Sequence, residues 1–174
     1  ATARPLDQHP VPYYLASLKS ERSRRVMRDD LAIIAAILLN LDPDGMSAPE
    51  RRALVLEVPW HELRISHTNA IRAALMQRYE SYRTINRMLS ALRGVLKACW
   101  QLDLMTGEDY YKARGVSNVQ GATLPAGRDL TPGERAALFD ACSDDPTPAG
   151  ARDAALLACA DAGLRRAEIA RLDL

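Results

Sequence analysis

The chain has 174 residues, room for one domain or for one and part of a second. Hydrophobic residues make up 48% and charged residues of both signs 26%, which excludes a disordered chain. Net charge is only +1, but residues 1–114 carry 17 Lys and Arg against 13 Asp and Glu, while residues 115–174 carry 6 against 9. Any polyanion binding therefore belongs to the first part, with ordinary scatter of surface charge as the alternative. The chain is rich in Ala, Leu and Arg and has one Phe, which points to an all-α fold.

Residues 1–12 hold Pro5, Pro10 and Pro12 and read as an extended lead-in, followed by a short helix over about Tyr13–Leu18. The first long helix is predicted from Ser20 to about Leu41. Met27, Leu31, Ile34, Leu38 and Leu41 fall on one of its stripes. Its opening turns are basic: Arg22, Arg24, Arg25 and Arg28. Arginines in a first turn oppose the helix dipole, a local cost that a bound phosphate would offset. A solvated turn balanced by Glu21, Asp29 and Asp30 is the plainer reading. Residues 42–49 are a loop by composition, residues 50–58 a helical turn or two, and Trp60 and Leu63 are expected to cap the core.

A helix follows over about Thr68–Tyr79, with Ser66 or Thr68 as its cap. The helix from Ser81 to about Leu102 separates two faces. Ile85, Met88, Leu89, Leu92, Leu96 and Cys99 lie on one, and Arg83, Arg87, Ser90, Gly94 and Lys97 on the other. Tyr82, Thr84, Asn86 and Arg93 flank the basic face with further donors. Small residues among the cations suit a helix docked on a major groove. A solvated face, or close helix packing at Gly94, fits the same letters. A short helix over Thr106–Ala113 completes the first domain, 1–113, and residues 114–129 read as an interdomain linker.

Thr131-Pro132-Gly133-Glu134 has the form of a capping box opening a helix that buries Ala137, Leu138 and Ala141 and ends near Cys142. After a loop over 143–149, a buried helix runs to Ala162 and stops at Gly163. Arg165 and Arg166 open the next helix, where a guanidinium and backbone N–H groups can meet one anion. Cys99, Cys142 and Cys159 lack metal-ligand spacing and read as core thiols of a reduced, cytoplasmic protein. His61 and His67 lack the company that a zinc site needs. No apolar run is long enough for a membrane span, and there is no signal-peptide pattern.

Arg152-Asp153, Leu156-Leu157, Gly163-Leu164-Arg165, Glu168 and Ile169 together resemble the opening of the catalytic domain of the tyrosine recombinases, or phage-integrase family. Thr84, Arg87, Leu92 and Arg93 resemble the looser pattern on the longest helix of that family's core-binding domain. The resemblance implies a SAM-like helical bundle that clamps one side of duplex DNA, then a linker, then a helical fragment of the catalytic domain over 130–174. It implies site-specific DNA recombination or integration through a 3′-phosphotyrosine, without metal or nucleotide cofactor. It also implies a tetramer of the full protein on paired sites in the nucleoid. Arg165 would hold the scissile phosphate. Arg22, Arg24, Arg25, Arg28, Arg83, Thr84, Arg87, Ser90 and Lys97 would contact DNA. The family's other catalytic residues, the nucleophilic tyrosine included, follow Arg165 in order, and no residue of the 174 matches them, so this chain alone is expected not to cleave DNA. A non-enzymatic DNA-binding protein and a helical protein-interaction module are the alternatives.

Overall fold

A computed structural model describes residues 8–121 and 127–172, and these fall into two compact units that divide after Thr123. The described residues form α-helices and two 3-10 turns, with no strand among them. The all-α expectation holds.

The first unit holds α1 (Pro10–Ala16), α2 (Glu21–Leu38), α3 (Ala48–Leu54), α4 (Ile65–Arg78), α5 (Tyr82–Gln101) and α6 (Gly107–Arg114). Each start has a local cause. The His9 ring accepts the Val11 N–H at 3.2 Å with Pro10 in the first helical position. Ser20 Oγ accepts the Ser23 N–H at 3.0 Å. Ser47 and Glu50 cap each other reciprocally, and Thr106 Oγ1 accepts the Asp109 N–H at 3.1 Å. Such caps satisfy N–H groups that the helix itself cannot reach.

α4 starts earlier than its letters suggest. It opens at Ile65, with the His67 ring accepting the Arg64 N–H at 3.0 Å. Thr68 is no cap. It is fully buried, and its hydroxyl donates to the Ile65 carbonyl at 3.1 Å. Trp60 does not cap the core but lies inside it, fully buried, with Nε1 donating to the Val55 carbonyl at 2.9 Å.

α5 is the axis of this unit. Its apolar stripe is buried as expected, and Ala91, Val95 and Ala98 widen it. Leu31 and Ile34 of α2, Ile71 and Leu75 of α4, and Tyr110 and Ala113 of α6 join the same core. Each fully buried Leu or Ile is worth roughly 1.5–3 kcal/mol relative to exposure. Among the described residues Asp30 is the one buried charged side chain.

The first half of the expected linker is not loose chain. Val116 is buried, and the Val119 backbone makes two hydrogen bonds to the Asn86 amide, at 2.8 and 3.0 Å. Arg93 reaches the carbonyls of Arg114 (3.3 Å) and Val116 (2.5 Å) and the Asn118 side chain (2.9 Å). Arg72 Nε donates to the Ser117 carbonyl at 3.0 Å. Residues 115–119 thus belong to the bundle, and residues 122–126 of the expected linker lie outside the described residues.

The second unit contains α7 (Pro132–Asp144), α8 (Pro148–Asp161) and the single turn α9 (Arg166–Ile169). The Thr131–Glu134 capping box forms, and α8 stops at Gly163, whose φ of +87° is the left-handed conformation that glycine allows. Arg135 and Asp161 tie α7 to α8 at 2.9 Å. The burial expected here is absent. Ala137, Leu138 and Ala141 are exposed, Leu156 of α8 is 43% exposed, and Gly150 is the one buried residue among those described. Two helices share one line of contact, so apolar positions off that line are left uncovered by the described residues of this unit.

Candidate nucleic-acid interface

The residues that the sequence grouped as one basic face of α5 part into two sets. Arg83, Ser90 and Lys97, spaced seven apart, are exposed, and neither cation makes an ion pair among the described residues. The Arg83 guanidinium lies 5.6 Å from the centroid of the Tyr82 ring, and its Nε donates to the Tyr82 hydroxyl at 3.2 Å. That contact uses Nε and leaves the two terminal nitrogens without a hydrogen-bond partner among the described residues. Thr84 is half-buried at the edge of the row.

Arg87 and Gly94 are already engaged by neighbouring helices, although the Arg87 side chain stays 45% exposed. Arg87 Nε and Nη2 grip the two oxygens of buried Asp30 at 2.8 and 2.9 Å. These hydrogen bonds, with the Asp30 charge, push the Arg87 pKa up despite partial desolvation. The fork that would bind a phosphate is therefore closed on a carboxylate. Gly94 admits no phosphate either, because the Tyr14 ring fills its place. A Cβ there would lie 2.3 Å from Tyr14 Cε2, so close helix packing is the reason for this glycine. Tyr14 is held protonated, its pKa raised first by burial and then by Asp30. Asn86 and Arg93, expected as flanking donors, are engaged by residues 114–119. Burial, then the nearby Arg114 charge, lowers the Arg93 pKa.

The α2 arginines also divide. Arg24 bonds Glu21 at 3.1 Å and the Leu18 carbonyl at 3.1 Å, so it holds the turn between α1 and α2. Arg22, Arg25 and Arg28 are exposed and make no ion pair among the described residues. Asp30 marks the side of α2 that faces α5. At about 100° per residue, Arg25 and Arg28 lie about 140° and 160° away from it, and Arg22 about 80°. Arg25 and Arg28 thus point away from α5, and only Arg22 stands side-on to it. The cations of the two helices are not one continuous stripe.

In the second unit Arg165 is 84% exposed on its side chain. Its backbone N–H donates to Glu168 Oε2 at 2.7 Å, and its guanidinium meets Glu168 Oε1 at 3.2 Å. Glu168 both caps α9 and orients the arginine. Arg166 is exposed and unpaired among the described residues. No group of His, Cys, Asp or Glu among the described residues could hold a metal ion. Among them, too, no helix is long and apolar enough to cross a membrane.

Asp30 and Tyr14 are the residues that sequence reasoning missed. Asp30, next to Asp29 in a basic stretch, looks like charge balance, and nothing in the letters shows that it is buried. Compared with family models, with curated proteins and with solved structures, the chain gives no match.

Proposed function

We propose that residues 8–121 bind duplex DNA, and that the chain is part of a tyrosine-recombinase-like protein acting on DNA in the cytoplasm. The observation that carries DNA binding is the outward row Arg83, Ser90 and Lys97 on α5, whose cations no carboxylate among the described residues neutralises. Unpaired arginines and lysines on a rigid helix are what phosphate contact requires. Arg22, Arg25 and Arg28 add a second set of free cations on α2. The recombinase part of the reading is supported by the Gly163-Leu164-Arg165 and Glu168 pattern, in which the Arg165 side chain is 84% exposed and paired with Glu168. Assembly of the full protein as a tetramer on two paired sites belongs to the same reading.

A protein-interaction module is the second reading, favoured by the exposed rings of Trp100 and Tyr111, 38% and 62% accessible. Anisotropy titration of labelled duplex DNA over a range of salt separates the two. Phosphate-dominated binding gives an affinity that falls linearly on a log–log plot. Arg83→Ala and the pair Arg25→Ala/Arg28→Ala should each flatten that slope, by about 1 for every phosphate no longer neutralised. Affinity that does not change with salt would favour the protein partner.

A further inference from the structure

α1 crosses α5 at Gly94, and beside the crossing is a groove of about 520 Å³. Its polar lining is Tyr13, Tyr14 and Ser17 from α1 and Lys97 and Gln101 from α5. No carboxylate lines it. Asp30, whose charge acts on Tyr14, is not part of the lining and is paired with Arg87. Lys97 makes no ion pair among the described residues, Gln101 is exposed, and Tyr13 is 39% exposed. Ser17 Oγ already donates to the Tyr14 carbonyl at 2.7 Å, so the donors left for a ligand are Lys97, Tyr13, Gln101 and the Tyr14 hydroxyl beside the crossing. One free cation, three neutral donors and no acid make a site for a singly charged oxyanion.

Position selects the oxyanion. Lys97 continues the α5 row two turns beyond Ser90 and four beyond Arg83, and Gln101 follows one turn on. Arg83 and Lys97 are separated by about 21 Å of helix rise. The major groove is about 12 Å wide, so α5 must lie oblique to the groove for Arg83 to meet one backbone and Lys97 the other.

We propose that the α1–α5 groove seats a phosphodiester of the duplex backbone, with Lys97 as its cation and Tyr13 and Gln101 as its hydrogen-bond donors. α1 then becomes a DNA-contacting element, and the tight Tyr14–Gly94 packing sets where Tyr13 stands. The assignment rests on the reading of α5 as a DNA face.

The test uses the full chain, labelled duplex DNA and a salt series, with thermal melts to show that each variant folds. All three substituted side chains are exposed. Lys97→Gln should lower the salt slope by about 1. Tyr13→Phe and Gln101→Leu should each weaken binding about two- to tenfold with the slope unchanged, since each removes a neutral donor. If Arg83→Gln flattens the slope while Lys97→Gln and Tyr13→Phe change nothing, the groove is no phosphate seat and the DNA reading stands. If the unaltered chain shows no salt-dependent binding, both fall. A final arm replaces DNA with inorganic phosphate and follows the Lys97 and Tyr13 amides by NMR at constant ionic strength. Saturable shifts there would assign the groove to a free anion and overturn the duplex assignment.

Discussion

Arg87 of α5 and Asp30 of α2 meet in two parallel hydrogen bonds of 2.8 and 2.9 Å, and the Asp30 side chain is only 3% exposed. The pair joins residues 57 apart in sequence and sets how α2 lies on α5. It also takes out of the basic face one of the two arginines that the α5 pattern placed there. A bidentate guanidinium–carboxylate contact fixes direction as well as distance, so the pair acts on register while Arg83, Ser90 and Lys97 stay free.

Arg87→Ala should therefore act on stability before it acts on DNA. It leaves the Asp30 carboxylate buried without its partner, a change that costs about 3–5 kcal/mol in fully buried pairs. The Arg87 side chain is 45% exposed, so solvent screens part of this, and about 2–3 kcal/mol is expected. Urea unfolding reads it directly. Arg87→Lys should recover only part of the stability, because an ammonium cannot span both oxygens. An unchanged midpoint for Arg87→Ala would show that the pair does not hold α2 to α5.

Gly94→Ala tests the seat of Tyr14. Alanine favours a helix over glycine by about 1 kcal/mol, so an open position would gain stability. Here the added Cβ would sit 2.3 Å from the Tyr14 ring, and the ring or α1 must shift. Overpacking of this kind costs roughly 1–3 kcal/mol, so the net sign is destabilising or close to neutral. The cleaner readout is a double-mutant cycle. Gly94→Ala should be stabilising in a Tyr14→Ala background, and the same effect in both backgrounds would disprove the contact.

The buried stripe of α5 is legible in the sequence because every member repeats at helical spacing and burial follows from side-chain type. Its polar side is not. Arg83 and Arg87 are the same letter one turn apart, and which of them faces water depends on Asp30, carried in by another helix. Gly94 is ambiguous for the same reason, since only the fold brings Tyr14 to it. Leu138 and Leu156 depart from expectation in the opposite sense. Apolar periodicity shows which face wants cover, and the described residues of the second unit provide little of it. The helix starts at Ser20, Ser81, Thr106 and Thr131 are readable, because a cap reaches only three positions along the chain, but α4 is capped at Arg64 and not at Ser66 or Thr68.

Glu134 gives a pH signature in the second unit. Hydrogen bonds from Arg128, and then from the backbone and hydroxyl of Thr131, lower its pKa from 4.5 to about 2. A carboxylate with a depressed folded pKa contributes stability that is complete above the unfolded value. That contribution disappears as pH falls from about 4.5 toward about 2. Fraying of α7 should therefore begin only well below pH 4.5, and a carbon-13 titration of the Glu134 carboxyl should have its midpoint there. Arg128→Ala should move that midpoint upward. A native midpoint near 4.5 would mean that the capping box and the arginine contact do not persist in solution.

Residues 115–119 offer a last test, because their composition reads as free linker. Val119 is clasped by the Asn86 amide at 2.8 and 3.0 Å, and the carbonyls of Arg114 and Val116 by Arg93. The Val119 amide should therefore exchange slowly with solvent, at a rate set by opening of this segment. Asn86→Ala removes both bonds to Val119 and should raise its exchange rate about tenfold or more, at a net cost near ~1 kcal/mol per neutral bond. Trypsin cleavage after Arg114 should speed up in parallel, while protection of the Leu89 and Leu92 amides in α5 stays as it was. Fast exchange at Val119 in the unaltered chain would return these residues to the linker.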